Sequence, residues 1–327
     1  MLLRSGLQLL SPAGPRARLS VLIFHRALAA PDPMFPSEMH AARFDELCGW
    51  LRRWFHVLPL QEGVERLARG ELPERALAIS FDDGYEDNHR VAMPILKRHG
   101  MCATFFIATG FLDGGRMWND SVVGALRMTA QSQIDVTTLG LPGIDRLELP
   151  DLASRRHAAL RLLGATKYLP AGVREATVER LVDLCGVRDR LPADLMMSSQ
   201  QVRQMRDAGM QIGAHTQSHP ILAGLDDAAA LAELRGSREH LESLLQQEVA
   251  VFAYPNGKPG TDYSLASVCL ARQAGFRVAV STAWGSAHAA GLDMLQVPRF
   301  TPWDQTRTRF GLRLLGNLRR DGVRLHA

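Results

Sequence analysis

Three stretches of the chain repeat one pattern of apolar and polar positions. "VAMPILKRHG-MCATFFIAT" (91–109), "QQVRQMRDAG-MQIGAHT" (200–216) and "YSLASVCLARQAG-FRVAVST" (263–282) each read as an amphipathic helix, a glycine and a short apolar run. The glycines 100, 209 and 275 suit the left-handed position that closes a helix, and the apolar run predicts a buried strand. Helix, tight turn and buried strand in repetition is how parallel strands are wound with helices outside. Further strands are expected at "VLIFH" (21–25), "HVLPL" (56–60), "ALAISF" (76–81), "VAVFAYP" (249–255) and "MLQVPRF" (294–300). Seven or eight strands alternating with helices predict an α/β fold closed as a β/α barrel.

The stretch 113–197 departs from this rhythm and is expected to be a mostly helical insertion, too long for a plain loop. Around it the chain reads as a single domain, residues 1–327, with its core at about 20–303. The segment 226–246 predicts a capped surface helix with Leu231, Leu234, Leu241 and Leu245 on one face.

Composition changes this picture little. In 327 residues, 46% hydrophobic and 22% charged content is that of an ordinary globular protein. The net charge of +4 arises from scattered arginines, with a cluster at "RLLGNLRRDGVR" (313–324). No basic stripe interleaved with aromatics points to nucleic acid. Cys48, Cys102, Cys185 and Cys269 are far apart and form no CxxC pair, so neither a zinc knuckle nor a disulfide framework is suggested; Cys102 and Cys269 read as core thiols. The first twenty residues are broken by Pro12, Pro15, Arg16 and Arg18 and make a poor signal peptide. A cytoplasmic location is the expectation, and a peripheral membrane contact through the first ten residues is the open alternative.

Chemistry collects where the apolar runs end. His25 ends "VLIF", Asp82 and Asp83 end "AISF", His215 ends "QIGA", Tyr254 and Pro255 end "VFA", and Arg299 ends "LQVP". In a β/α barrel these positions share one face, the face on which such barrels build their sites. "HTQSH" spaces His215 and His219 four apart in a polar turn, and two imidazoles with one carboxylate are a ligand set that leaves coordination positions open. The adjacent Asp82 and Asp83 repel unless a cation offsets them. One of them is therefore expected to bind a metal, while the other accepts a proton from the attacking water, held by a neighbour such as Arg299. The competing reading makes them an N-cap pair for a helix beginning near Tyr85.

"SFDDGY", "HTQSH" and "FAYPNG", in that order, resemble the motifs of polysaccharide deacetylases, carbohydrate esterase family 4 or the NodB-homology group. The resemblance runs from about Leu22 to Phe300. It implies a distorted (β/α)7 barrel that removes N-acetyl groups from N-acetylhexosamine residues of a glycan, polymeric or lipid-linked. It also implies a divalent metal, Zn2+ before Co2+ or Ni2+. By matching motifs Asp82 becomes the general base; Asp83, His215 and His219 become metal ligands; and the Tyr254 N–H becomes an oxyanion donor. Trp118, Pro255 and Asn256 are expected to meet the sugar, Trp118 by stacking unless it belongs to a core. The chain departs from the family at Ala253, where an Arg is usual, around "STAWGSAHAAGLD", where a Trp-and-Asp motif is usual, and at "LQVPRF", which replaces "L-x-H" and its general-acid His. A late "PR" and an early strand ending in His are similar to the subgroup related to biofilm poly-N-acetylglucosamine deacetylases. His25, with Arg26 beside it, is accordingly expected to be the acid, with His288 as the substitute. The rival readings are an allantoinase-like hydrolase of another C–N bond and a catalytically silent glycan-binding protein.

Overall fold

The computed structural model describes residues 2–326 as two compact units. The first is formed by the chain up to Ala30, by 39–113 and by 197 onward; the second by 31–38 and 114–196.

In the first unit six parallel strands follow one another: Arg18–Phe24, Ala76–Phe81, Thr104–Ile107, Gln211–Ala214, Val251–Ala253 and Val278–Val280. Each runs in register with its neighbour, as at Phe24↔Phe81, Phe81↔Phe105, Ile107↔Ala214, Ala214↔Phe252 and Ala253↔Val280. The predicted strand at 294–300 is instead an irregular segment. It touches the last strand through Val280↔Val297 and the first through Leu22↔Phe300. Pro298 has no N–H to give a ladder, and single bridges on either side suffice to bring the sheet back to its first strand. The result is a curled α/β barrel with a loosely stitched seventh position.

Side-chain parity sorts the strand residues into two sets. Leu19, Val21, Ala76, Ala78, Phe106, Val251, Ala253, Val278, Val280 and Val297 form the barrel interior. Leu22, Phe24, Leu77, Ile79, Phe81, Phe105, Ile212, Phe252 and Ala279 pack outward against the helices. The interior mixes small and large residues: a side chain at Gly213 would come within 2.6 Å of the Phe106 ring, so glycine there makes room for it. Carried past the strand end, the same parity turns Asp82 inward after Ser80, and Arg299 inward after Val297. The helix-closing glycines adopt the expected left-handed backbone, with φ of 66° at Gly100, 83° at Gly209 and 93° at Gly275. The helix Asp227–Leu245 buries Leu234, Leu241 and Leu245, capped by Asp226. Cys269, expected in the core, is exposed on its helix.

The second unit has three helices, Trp118–Met128, Leu152–Thr166 and Ala171–Cys185, and a two-stranded antiparallel hairpin, Gln133–Asp135 with Arg146–Glu148. It has its own core, which includes Met34 from the early segment. No described helix is long and apolar enough to cross a membrane.

Candidate active site

The strand Ala76–Phe81 is buried throughout and delivers Asp82 and Asp83 at its C-terminal end. The two carboxylates then part. Asp82, continuing the strand, accepts both ends of the Arg299 guanidinium, Nη1 at 2.6 Å and Nη2 at 2.8 Å. Arg299 is fully buried; its Nε donates to the Ser281 carbonyl at 2.9 Å and its Nη1 also reaches Ser80 Oγ. Burial alone would raise the Asp82 pKa, but Arg299, together with the nearby His215 and His25, outweighs it, and the carboxyl is held below its ordinary range. A bidentate fork inside the barrel fixes this carboxylate in orientation as well as charge.

Asp83 leaves the strand with φ of 77°, a left-handed conformation that costs a non-glycine residue roughly 1–3 kcal/mol. That turn aims it at the next-but-one strand end. Its Oδ1 lies 3.4 Å from His215 Nε2 and 3.4 Å from His219 Nε2. At that separation neither contact is a good hydrogen bond, and Oδ1 is a buried oxygen with no hydrogen-bond partner. The three donor atoms lie within 4.8 Å of one another. Burial would raise the Asp83 pKa, but contact with His215 and the neighbouring His219 and His25 draw it down. His215 donates from Nδ1 to the Ala253 carbonyl at 2.7 Å, which fixes the tautomer and points the Nε2 lone pair at Asp83. The two imidazoles titrate as a pair. Burial opposes the charge on both; His215, in closer contact with Asp83, is nevertheless raised, and His219, which would add a second cation, is lowered to about 4.

The "HTQSH" turn is strained and braced. Thr216 (φ 64°) and His219 (φ 55°) are both left-handed, and for a β-branched threonine that is a true outlier. Thr109 and Gly110 donate to the carbonyls of Thr216 and Gln217. From the helix Asp227–Leu245, Glu233 accepts from the Gln217 N–H at 2.8 Å, the Ser218 N–H at 2.9 Å and the Ser218 hydroxyl at 2.6 Å. The sequence reading missed Glu233. Its only trace is one acid among several on the polar side of an amphipathic helix.

His25 follows the first strand and is exposed; its ring is close enough to Asp82, Asp83 and His219 to influence their titration. The Arg26 guanidinium beside it binds Asp87 at 2.7 Å and lies over the Tyr85 ring. His288 is elsewhere. It pairs with Arg18 at the opening of the first strand, about 20 Å from the strand's C-terminal end at 3.3 Å per residue, and contacts Asp321. It cannot be the acid.

Two other expectations change. The Tyr254 N–H donates to the Val280 carbonyl at 3.2 Å, its hydroxyl donates to the Leu295 carbonyl, and its ring stacks on Tyr263 inside the core, so this residue offers no free oxyanion donor. Pro255 is buried, and Asn256 (φ 59°) is half-buried; among the described residues its N–H has no acceptor. Trp118 belongs to the second unit, packs on that unit's core and is covered by the Arg174 guanidinium at 5.2 Å. The competing cap reading does not hold: the helical stretch begins at Glu86 and passes through a π-helical turn, Asn88–Ala92, while Asp82 is bound to Arg299 and Asp83 is turned toward the histidines.

A buried carboxylate–histidine–histidine cluster beside an arginine-clamped carboxylate lies at the strand ends of a β/α barrel, the face on which such barrels build their sites, and its three donor atoms could hold a metal ion. The sequence profile of the polysaccharide deacetylase family matches residues 69–141 and 171–279, more than half of the chain, which therefore belongs to that family and is a deacetylase hydrolase. The chain is 20% identical to YxkH of Bacillus subtilis (strain 168) over 273 residues, 83% of this chain and 67% of that protein. In fold it resembles the deacetylase PplD of Streptococcus pyogenes, solved with acetate, at a TM-score of 0.59 and 18% identity, over 92% of this chain and 98% of that one. It is equally similar to IcaB from Ammonifex degensii, with TM-score 0.59 and 18% identity over 95% and 99%.

Proposed function

We propose that the enzyme removes N-acetyl groups from N-acetylhexosamine residues of a glycan, using a divalent cation held by Asp83, His215 and His219. The observation that carries this reading is the orphaned, buried Asp83 Oδ1 facing the Nε2 atoms of two imidazoles, of which His215 is held in the ligating tautomer by its Nδ1–H bond to the Ala253 carbonyl. One carboxylate with two imidazoles fits Zn2+, Co2+ or Ni2+ and leaves positions for water and substrate. When bound, such a cation polarises the amide carbonyl and makes the attacking water acidic enough for a low-pKa carboxylate to serve as acceptor.

The chain's own residues then divide the work. Asp82 accepts a proton from the water as its oxygen adds to the acetyl carbon, and Arg299 holds that carboxylate in place. The Asn256 N–H, which has no acceptor among the described residues, takes the role first expected of Tyr254 and donates to the developing oxyanion. His25, at the exposed mouth, gives a proton to the amine nitrogen as the C–N bond breaks, leaving acetate and a free amino sugar.

Acetate release from N-acetylglucosamine oligomers, with and without a chelator, tests the reading. Activity abolished by chelation and restored by Zn2+, Co2+ or Ni2+ is expected. Acetate release that survives complete metal removal overturns the metal assignment, and a fully metallated protein that releases no acetate from any N-acetylated glycan overturns the reaction.

A further inference from the structure

We propose that the helices Leu2–Leu10 and Arg307–Asn317 together form a surface that docks on an anionic lipid bilayer, a property that does not depend on the reaction assigned above. The helices lie side by side. A side chain at Gly6 would come within 3.3 Å of Leu315, and one at Gly311 within 2.4 Å of Leu3, so the small residues let the two backbones approach. Contacts at 3 with 311 and at 6 with 315 make the pair run parallel. Leu7, Phe310, Leu314 and Leu318 face the core.

Helical periodicity then places Leu9 and Leu312 on the outer flanks of the seam, on the side away from the core. They are 82% and 61% exposed, a poor use of leucine unless something covers it. The charges around them are of one sign. Residues 2–16 and 305–320 contain seven arginines and no carboxylate. Arg313 is committed to Asp304 at 2.6 Å. Among the described residues Arg4, Arg16, Arg307, Arg309, Arg319 and Arg320 have no ion-pair partner. Carboxylates on adjoining segments are already engaged, Glu74 with Arg75 and Asp321 with Arg18.

Exposed leucines set among unpaired arginines on an amphipathic helix pair match the boundary between headgroups and acyl chains of an anionic leaflet. A second copy of the chain is a poor occupant, because a two-fold contact would set this basic face against itself. Nucleic acid would engage the arginines but give the leucines nothing to bury.

Flotation of the full chain with phosphatidylglycerol-containing vesicles and with pure phosphatidylcholine vesicles tests the proposal. Binding to the first only, released by high salt, is expected. The double variant Arg309→Gln/Arg319→Gln should weaken binding on the order of 30-fold, from about fivefold per arginine. Leu9→Ser/Leu312→Ser should weaken it at unchanged melting temperature. Absence of binding, equal binding to both vesicles, or binding untouched by either double variant overturns the proposal. So does a variant-sensitive dimer without vesicle binding, or tighter variant-sensitive binding to duplex DNA than to the vesicles.

Discussion

Two arginines of the barrel unit are almost wholly buried, one near each end, and they do different things. Arg75 precedes the strand Ala76–Phe81; its Nε donates to the Trp54 carbonyl at 2.9 Å, and its Nη1 reaches Gln8 and Glu74. Its partners are a buried backbone oxygen, an amide and a partly exposed acid, and each of them is met. Arg299, near the opposite end of the same strand, grips a carboxylate that is itself 2% exposed and whose sequence neighbour is left without a partner. The first arrangement ties chain segments together and is complete. The second fixes one charge while leaving another oxygen and two imidazoles facing a shared point. The lesson is that burial of charge does not mark a site. Between these two arginines, the difference is the unpartnered oxygen and the two imidazoles that converge on it.

The comparison breaks most sharply at the two carboxylates. Asp82→Asn should keep the metal and lose activity by roughly 10²–10⁴-fold, the range of a general base. It should also destabilise the fold by roughly 3–5 kcal/mol, because Arg299 remains buried without its counter-charge. Asp83→Asn should lose the metal instead. Metal analysis of both purified variants, beside denaturant melts, checks the pair; metal loss in the first and retention in the second would exchange their roles. Next in size is His25→Ala. It should fold and bind metal normally but slow turnover by about 10²-fold, with the alkaline limb of the pH–rate profile altered. Unchanged kinetics would exclude it as the acid.

Glu233 sharpens the contrast more gently, because it touches neither metal nor substrate. Three bonds to Gln217 and Ser218 hold a turn that contains two left-handed residues, one of them His219, the proposed ligand. Glu233→Gln should reduce metal affinity by about 10–100-fold, as loss of outer support to a ligand does. Titration with Zn2+ against a competing chelator measures this, and excess metal should restore kcat. A variant with wild-type affinity would reduce Glu233 to a helix-surface acid.

How much of this was legible differs with range. "SFDDGY" and "HTQSH" announced themselves because apolar strands ending in paired ligand-type residues are local facts of the chain, and helix-closing glycines are equally local. Glu233 was not legible, since its role comes from helix-to-turn packing across fifteen residues and leaves no pattern in the helix itself. Tyr254 was misread for a related reason: whether a backbone N–H is free depends on how far the sheet ladder runs, and here it runs one residue further, to Val280. The short hairpin 133–148 was hidden by polar strands, exposed on alternate residues, with no continuous apolar run. The segment 294–300 carries the apolar pattern of a strand, but Pro298 and single bridges keep it irregular.

The smallest effects belong to the far end of the barrel, and they bear on the comparison because they should spare catalysis. Arg75→Met removes satisfied bonds to Trp54 and Gln8 while keeping an apolar stem in the core. A loss of roughly 1–3 kcal/mol of stability is expected, with kcat and metal content per folded molecule unchanged. His288→Ala should do less still. Its partner Asp321 is more than half exposed and also bound by Arg18, so the His288 contact at 3.1 Å is worth under about 1 kcal/mol. Its position at the strand's opening leaves it no path to the leaving amine. If His288→Ala slowed deacetylation as much as His25→Ala, the division between a structural end and a reactive end would fail. Measuring both variants in one kinetic series, at matched fractions of folded protein, decides it.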